Sequence, residues 1–208
     1  MVDRNSPGLA ALEDAVRRGI ARVGEGLTEM AGVPFRAEAT GVTAVPLTEA
    51  PTLVGDPALP VVGIYLGVTA DAHGHILLLF EEQAALRLAD LLLGRPAGST
   101  AELGELEQSA LAELGNIAGS FFLNVLADEC RLEIHPTPPV VLRDLCGAIL
   151  DAPVADVGLE RDEVLVIGTR LSQDGEAVEG RFLVLPSFAL LETLLEHLAR
   201  EEVTRAGS

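Results

Sequence analysis

One succession of elements occurs twice in this chain and limits the folds open to it. A long amphipathic segment, an extended run, two extended runs joined by a turn, and a second amphipathic segment follow one another from Leu9 to Leu93 and again from Glu102 to Arg200. The copies stand about 100 residues apart, the second lengthened after Leu142. Their wording agrees too. Gly74-His-Ile-Leu-Leu-Leu-Phe before one Leu-rich helix echoes Gly180-Arg-Phe-Leu-Val-Leu-Pro before another, and Val42 through Leu47 echoes the strand after Pro139. The expected fold class is α+β, layered, with antiparallel strands. One domain over residues 8–208 is expected, in two pseudo-symmetric halves, 8–95 and 100–201, each with a long helix, strands and a second helix.

In the first half, Leu12, Ala15, Val16, Gly19, Ile20, Val23 and Leu27 recur at helical spacing from Leu9 to Met30, with Gly32 as the stop. Phe35 to Leu47 reads as a strand and Thr48 to Leu59 as a loop. Pro60 to Ala70 and His75 to Phe80 form a hairpin around the Asp71–Gly74 turn. Glu81 to Leu93 is a helix ended by Gly94, and Pro96 to Ser99 is a linker.

In the second half, Thr100 is the expected N-cap of a helix running from Glu102 to Ala127, whose apolar side is Leu103, Ala110, Leu114, Ile117, Phe121 and Val125. Arg131 to Leu142 is extended around Pro138-Pro139, and Leu145 to Val157 is a short helix interrupted by Pro153. Glu163 to Ser172 and Ala177 to Leu185 pair around Asp174-Gly175, and Ser187 to Arg200 closes the chain as a helix with Ser187 near its N-cap.

The 208 residues include 49% hydrophobic but only 3% aromatic ones, so an aliphatic core is expected. Net charge is −18, from 32 acidic and 14 basic residues, and every basic residue is Arg. So negative a surface argues against nucleic acid and anionic membranes as partners and suits proteins with basic patches. Cys130 and Cys146 are expected to be reduced thiols. His73, His75, His135 and His197 lack the local paired spacing of a metal site and read as turn or surface residues, so no metal is expected. Without a signal segment or a window of 18 uncharged apolar residues, a soluble cytoplasmic protein is expected.

At about 100° per residue, Glu102, Glu105, Ser109, Glu113, Asn116 and Ser120 fall within a stripe roughly 80° wide on the central helix. A carboxylate and a carboxamide thus project together, one turn apart. An amide can orient a water by one donor and one acceptor, and a carboxylate can hold a cation. Alone, such a pair is also what a solvated helix face carries. Gly115 and Gly119 each cost about 1 kcal/mol in a helix interior relative to Ala, which points to a close approach. A strand of the same half is expected to pass there.

Ser109-x3-Glu113-x2-Asn116-x22-Pro139 resembles the signature of the CheC/CheX/FliY family of chemotaxis phosphatases: Asp or Ser, then Glu, Asn and Pro at these intervals. The resemblance implies two pseudo-symmetric halves with a long helix across a sheet in each. Aligning them sets Ala10 opposite Ser109, Asp14 opposite Glu113, Arg17 opposite Asn116 and Thr40 opposite Pro139, so the first copy has lost its amide. Arg17, Arg18 and Arg22 are expected to answer Asp14 and Glu25 at helical spacing, a docking patch being the alternative.

The activity implied is dephosphorylation of a CheY-like receiver domain, which carries an acyl phosphate on an aspartate and brings its own Mg2+ and lysine. By this resemblance Asn116 holds the attacking water and Glu113 pairs with the receiver's lysine. Pro139 is expected to fix the backbone of a strand beside the helix, and Ser109 to bond its own helix or orient Glu113. The alternative to a strand at the bare backbone is the receiver's surface, with Gly115 letting the phosphoryl site reach Asn116. The rival implied by the family is a non-catalytic interaction module that binds the deamidase CheD or serves the flagellar switch. A hydrolase built on His73 and His75 has no nucleophile at fixed spacing to support it.

Overall fold

The computed structural model describes residues 7–52, 56–70, 73–158, 163–173, 175–187, 189–190, 192–193 and 195–197. Its first elements are helix α1 (Pro7–Ala31), strand β1 (Arg36–Pro46), a 3-10 segment (Leu47–Thr52), the hairpin β2 (Pro60–Ala70) and β3 (Gly74–Glu81), and α2 (Glu82–Leu92). There follow α3 (Glu105–Cys130), β4 (Ile134–Pro136), β5 (Val140–Leu145), α4 (Cys146–Gly158) and the hairpin β6 (Glu163–Gln173) and β7 (Glu176–Pro186). The strands form one antiparallel sheet, ordered β1-β6-β7-β3-β2-β4, with β5 also on β2. The α+β layering expected from the sequence is therefore what the chain adopts.

The two halves of the sequence interleave within this sheet. The first strand of each leaves its own hairpin and pairs with the other's: β1 lies on β6, while β4 and β5 lie on β2. At the centre β3 meets β7, from Gly74↔Pro186 to Leu79↔Arg181. These strands are covered on both faces, which is why they read as continuous apolar runs. Ile76, Leu78, Phe80 and Phe182 point to the layer of long helices, whereas Leu77, Leu79, Leu183 and Leu185 point to the layer of α4 and the 3-10 segment.

Several boundaries differ from those expected. Thr100 is not an N-cap: its hydroxyl donates to Asp90 Oδ1 at 2.6 Å, and α3 starts after Gly104 with no side-chain cap. The buried Asp90 also accepts from the N–H groups of Gly98 and Ser99, at 2.8 and 3.0 Å, and so fixes the whole linker. Residues 48–52, expected as loop, are part of the 3-10 segment. Helix α4 continues through Pro153, which is buried within it. The turn residues Asp71, Ala72 and Asp174, much of the closing helix after Ser187, and the thiol of Cys130 lie outside the described residues. Leu190 N–H does donate to Ser187 Oγ, at 3.3 Å.

The extended run around Pro138-Pro139 is not one strand. It breaks between β4 and β5, and Pro139 stands in the break rather than on a strand. A proline offers no N–H to a ladder. Thr137 fills the gap: its N–H donates to Gly67 O and its Oγ1 accepts from Gly67 N–H, both at 2.8 Å.

Candidate functional site

Helix α3 is buried along a wide arc because it has neighbours on two sides. Leu111, Leu114, Ala118, Phe122 and Leu126 are fully buried, while Ala110, Phe121 and Val125, expected at the core, are half-buried along one flank. That flank meets α1, where a Cβ on Gly19 would strike Phe122 and one on Gly26 would strike Phe121. Among the described residues, α3 is also the one helix long and apolar enough to cross a membrane; here the sheet and α1 occupy its apolar arc.

Gly115 and Gly119 set how deeply α3 sits. A Cβ on Gly115 would collide with Ile64 Cγ2 and lie 3.2 Å from Pro139 Cβ; one on Gly119 would lie 2.7 Å from Leu66 Cδ2 and 3.4 Å from Pro136 Cβ. The close approach is thus to a strand, but to β2, which belongs to the other half of the sequence, with two prolines of its own half alongside. Pro139 packs directly against the backbone that carries Asn116.

Glu113 and Asn116 are exposed, and among the described residues neither has a hydrogen-bond or ion-pair partner. The exposed Ser109 donates to Glu105 O at 2.7 Å, so it bonds its own helix and does not orient Glu113. The result is a rigid rod presenting an unpaired carboxylate and an unpaired carboxamide one turn apart. Upstream, Arg95 Nη1 bonds Glu107 Oε1 at 2.6 Å and holds that carboxyl below the usual range for glutamate. This pair ties the first turn of α3 to the linker.

The corresponding face of α1 is spent on internal contacts. Arg18 pairs with Asp14, Arg22 bonds Glu25 at 2.6 Å, and Arg17 Nη1 reaches Ala39 O at 3.5 Å. The carboxylate aligned with Glu113 is therefore already neutralised by a neighbour.

A third group comes from the structure rather than from the motif. His75 lies on β3, as the strand expected from His75 to Phe80 has it, and is not left to the turn or the surface: Nδ1 is 3.0 Å from the hydroxyl of Tyr65 and Nε2 2.9 Å from Asp156 Oδ2. The hairpin register sets Tyr65 opposite Leu77 and Gly67 opposite His75, which makes Tyr65 and His75 diagonal neighbours on one face. That register, counted back from the turn, is the signal a sequence offers for such a pair. Burial, then the charge of Asp156, pushes the Tyr65 hydroxyl above the usual tyrosine range, and burial likewise raises the Cys146 thiol. Among the described residues, no three His, Cys, Asp or Glu side chains gather as a metal set would.

The family model described as CheC-like matches residues 106–143, the stretch from α3 through Pro139 into β5. The Bacillus subtilis CheY-P phosphatase CheC is 27% identical over 144 residues, 67% of this chain and 69% of that protein. The putative CheY-P phosphatase CheC1 of Halobacterium salinarum is 22% identical over 190 residues, 91% of this chain and 95% of that protein. Among solved structures, Thermotoga maritima FliY superposes with a TM-score of 0.73 at 16% identity, covering 96% of this chain and 99% of that one. The FliM middle domain from H. pylori superposes at 0.67 with 12% identity, covering 94% and 99%. At these identities, the structural likenesses speak for the fold alone.

Proposed function

The chain belongs to the CheC/CheX/FliY family, and from that premise we propose that it accelerates hydrolysis of the aspartyl phosphate of a CheY-like receiver domain in chemotaxis signalling. One observation carries the reading. Glu113 and Asn116 stand exposed and, among the described residues, unpartnered, one turn apart, on a helix seated at Gly115 against Ile64 and Pro139. Polar groups held in place without internal partners are free to act on a visiting protein.

In this reading Asn116 enters beside the phosphoryl group and holds a water in line, accepting one of its hydrogens and donating to its oxygen. Attack by that water on phosphorus forms the new P–O bond and breaks the bond to the aspartyl oxygen; the aspartate leaves as carboxylate, and both hydrogens of the water stay with the phosphate released. Glu113 pairs with a lysine of the receiver and sets the docking register. The receiver supplies Mg2+, which neutralises charge on the transferred group. Gly115 and Pro139 support the motif by fixing the seat of α3, and Ser109 by bonding its backbone. A net charge of −18 suits a partner whose active centre offers cations. With a receiver as substrate, the reaction belongs to the cytoplasm.

The test is the decay of acyl phosphate on phosphorylated receivers, with and without the purified chain. Acceleration by the wild type and by Arg17→Ala, lost in Asn116→Ala, is the expected outcome. A wild-type chain that leaves every receiver at its intrinsic rate refutes the proposal. If it binds CheD or a switch component instead, the interaction-module reading takes its place.

A further inference from the structure

On the sheet face away from α3, a cavity of about 480 Å³ lies between α4 and strands β2, β3 and β5. That is the size of a small-molecule site. Its walls include Leu142, Ile149, Ala152 and Pro153, and Tyr65 and His75 form its polar end.

The hydrogen-bond chain at this end has a direction. A carboxylate only accepts, so His75 Nε2 carries the hydrogen in its 2.9 Å contact with Asp156. With a neutral ring, Nδ1 is then an acceptor, and the Tyr65 hydroxyl uses its one hydrogen to bond it at 3.0 Å. Among the described residues, the phenolic oxygen keeps lone pairs with no protein donor of their own. The charged groups nearby are already engaged. Arg143 pairs with Glu82, Asp144 Oδ1 accepts from Leu145 N–H at 2.7 Å, and Asp156 is held by His75. Among the described residues that line the cavity, the one cation, Arg143, is paired, so none is free to answer an anionic ligand.

We propose that this cavity binds a small apolar molecule that is not an anion and carries one hydrogen-bond donor, of the chemical class of indole, with that donor directed at the oxygen of Tyr65. The site lies on the opposite side of β2 from Gly115 and needs nothing from the activity proposed for α3. With no tryptophan in the chain, the emission of indole is read without a tryptophan background.

The experiment titrates the full chain with indole and with 1-methylindole, which has the same shape but no donor, in mildly alkaline buffer. Expected is saturable binding of one indole per chain, with 1-methylindole about tenfold weaker, the ratio that one hydrogen bond supplies. Tyr65→Phe should bring indole down to the affinity of 1-methylindole. Ala148→Phe, made at an exposed position of α4 that borders the cavity, should abolish binding of both. Equal affinities on the wild type, binding that survives Ala148→Phe, or no saturable binding of indole would each overturn the proposal. Asn116→Ala should leave the titration unchanged, so that failure here and failure of the phosphatase reading are told apart.

Discussion

Helices α1 and α3 occupy matching places in the sequence order, yet they are seated differently. The alignment that sets Arg17 against Asn116 also sets Val16 and Ile20, both buried, against Gly115 and Gly119. At these two positions α1 fills the space beneath it with branched side chains, and its bare backbone comes one turn later, at Gly24 against Ala37 of β1; α3 leaves bare backbone at both, against Ile64, Leu66 and the prolines. The aligned strand residues differ in the same sense: Thr40 stands at an irregularity in an otherwise continuous β1, while Pro139 stands in an open break. The polar groups complete the contrast. Asp14 is bound by Arg18 and Arg17 reaches a carbonyl, whereas Glu113 and Asn116 are unspent among the described residues. A motif of this kind is thus more than two side chains; it is a helix set at a fixed depth with its polar stripe kept unengaged.

The largest effect expected from breaking the comparison is on rate. Asn116→Ala should slow receiver dephosphorylation on the order of 10²-fold, while Arg17→Ala leaves it unchanged. Next comes the seat. Gly115→Val copies α1 into α3, drives a branched side chain into Ile64, and should lower stability in a denaturant titration by about 1–3 kcal/mol. Its activity should fall with it, because Asn116 is displaced.

A pH effect comes third. Its bond to Arg95 lowers the carboxyl of Glu107, so that contribution to stability is present above the ordinary glutamate range and is lost as pH falls through the depressed value. Acid unfolding of Arg95→Ala, followed by circular dichroism, should lack that component. In α1, Asp14→Ala removes an exposed pair and should cost under about 0.5 kcal/mol in the same denaturant titration. Smallest of all is a graft. Asp14→Glu with Arg17→Asn should add no phosphatase rate, since Val16, Ile20 and Thr40 keep the old seat; a measurable gain would show that the seat is dispensable.

Much of this is open to a reader of the sequence, and what is not has physical causes. The stripe Ser109, Glu113, Asn116 follows from helical period alone, and both hairpins follow from apolar runs around turns that each hold an Asp and a Gly. The start of α3 does not, because Thr100 suits an N-cap but is claimed by Asp90, ten residues away. Pro138-Pro139 gives the break away in principle; its repair by the hydroxyl of Thr137 depends on Gly67, far off in sequence. The depth of α3 depends on β2 running beneath it, and a pairing across half the chain leaves no local mark. The engagement of His75 is hidden for the same reason: its partner Asp156 comes from α4, a segment with no match in the first half.

The interleaving of strands has a practical consequence for anyone who would shorten this protein. Residues 100–201 carry every element of the motif, but the floor beneath their helix, Ile64 and Leu66, is supplied by the half that lacks it. Cut loose, that fragment would keep only Pro136 and Pro139 beside its two glycines and lose the strand they rest on. The mute half is the workbench on which the other half's tool is clamped, and a truncation that discards it discards the tool as well.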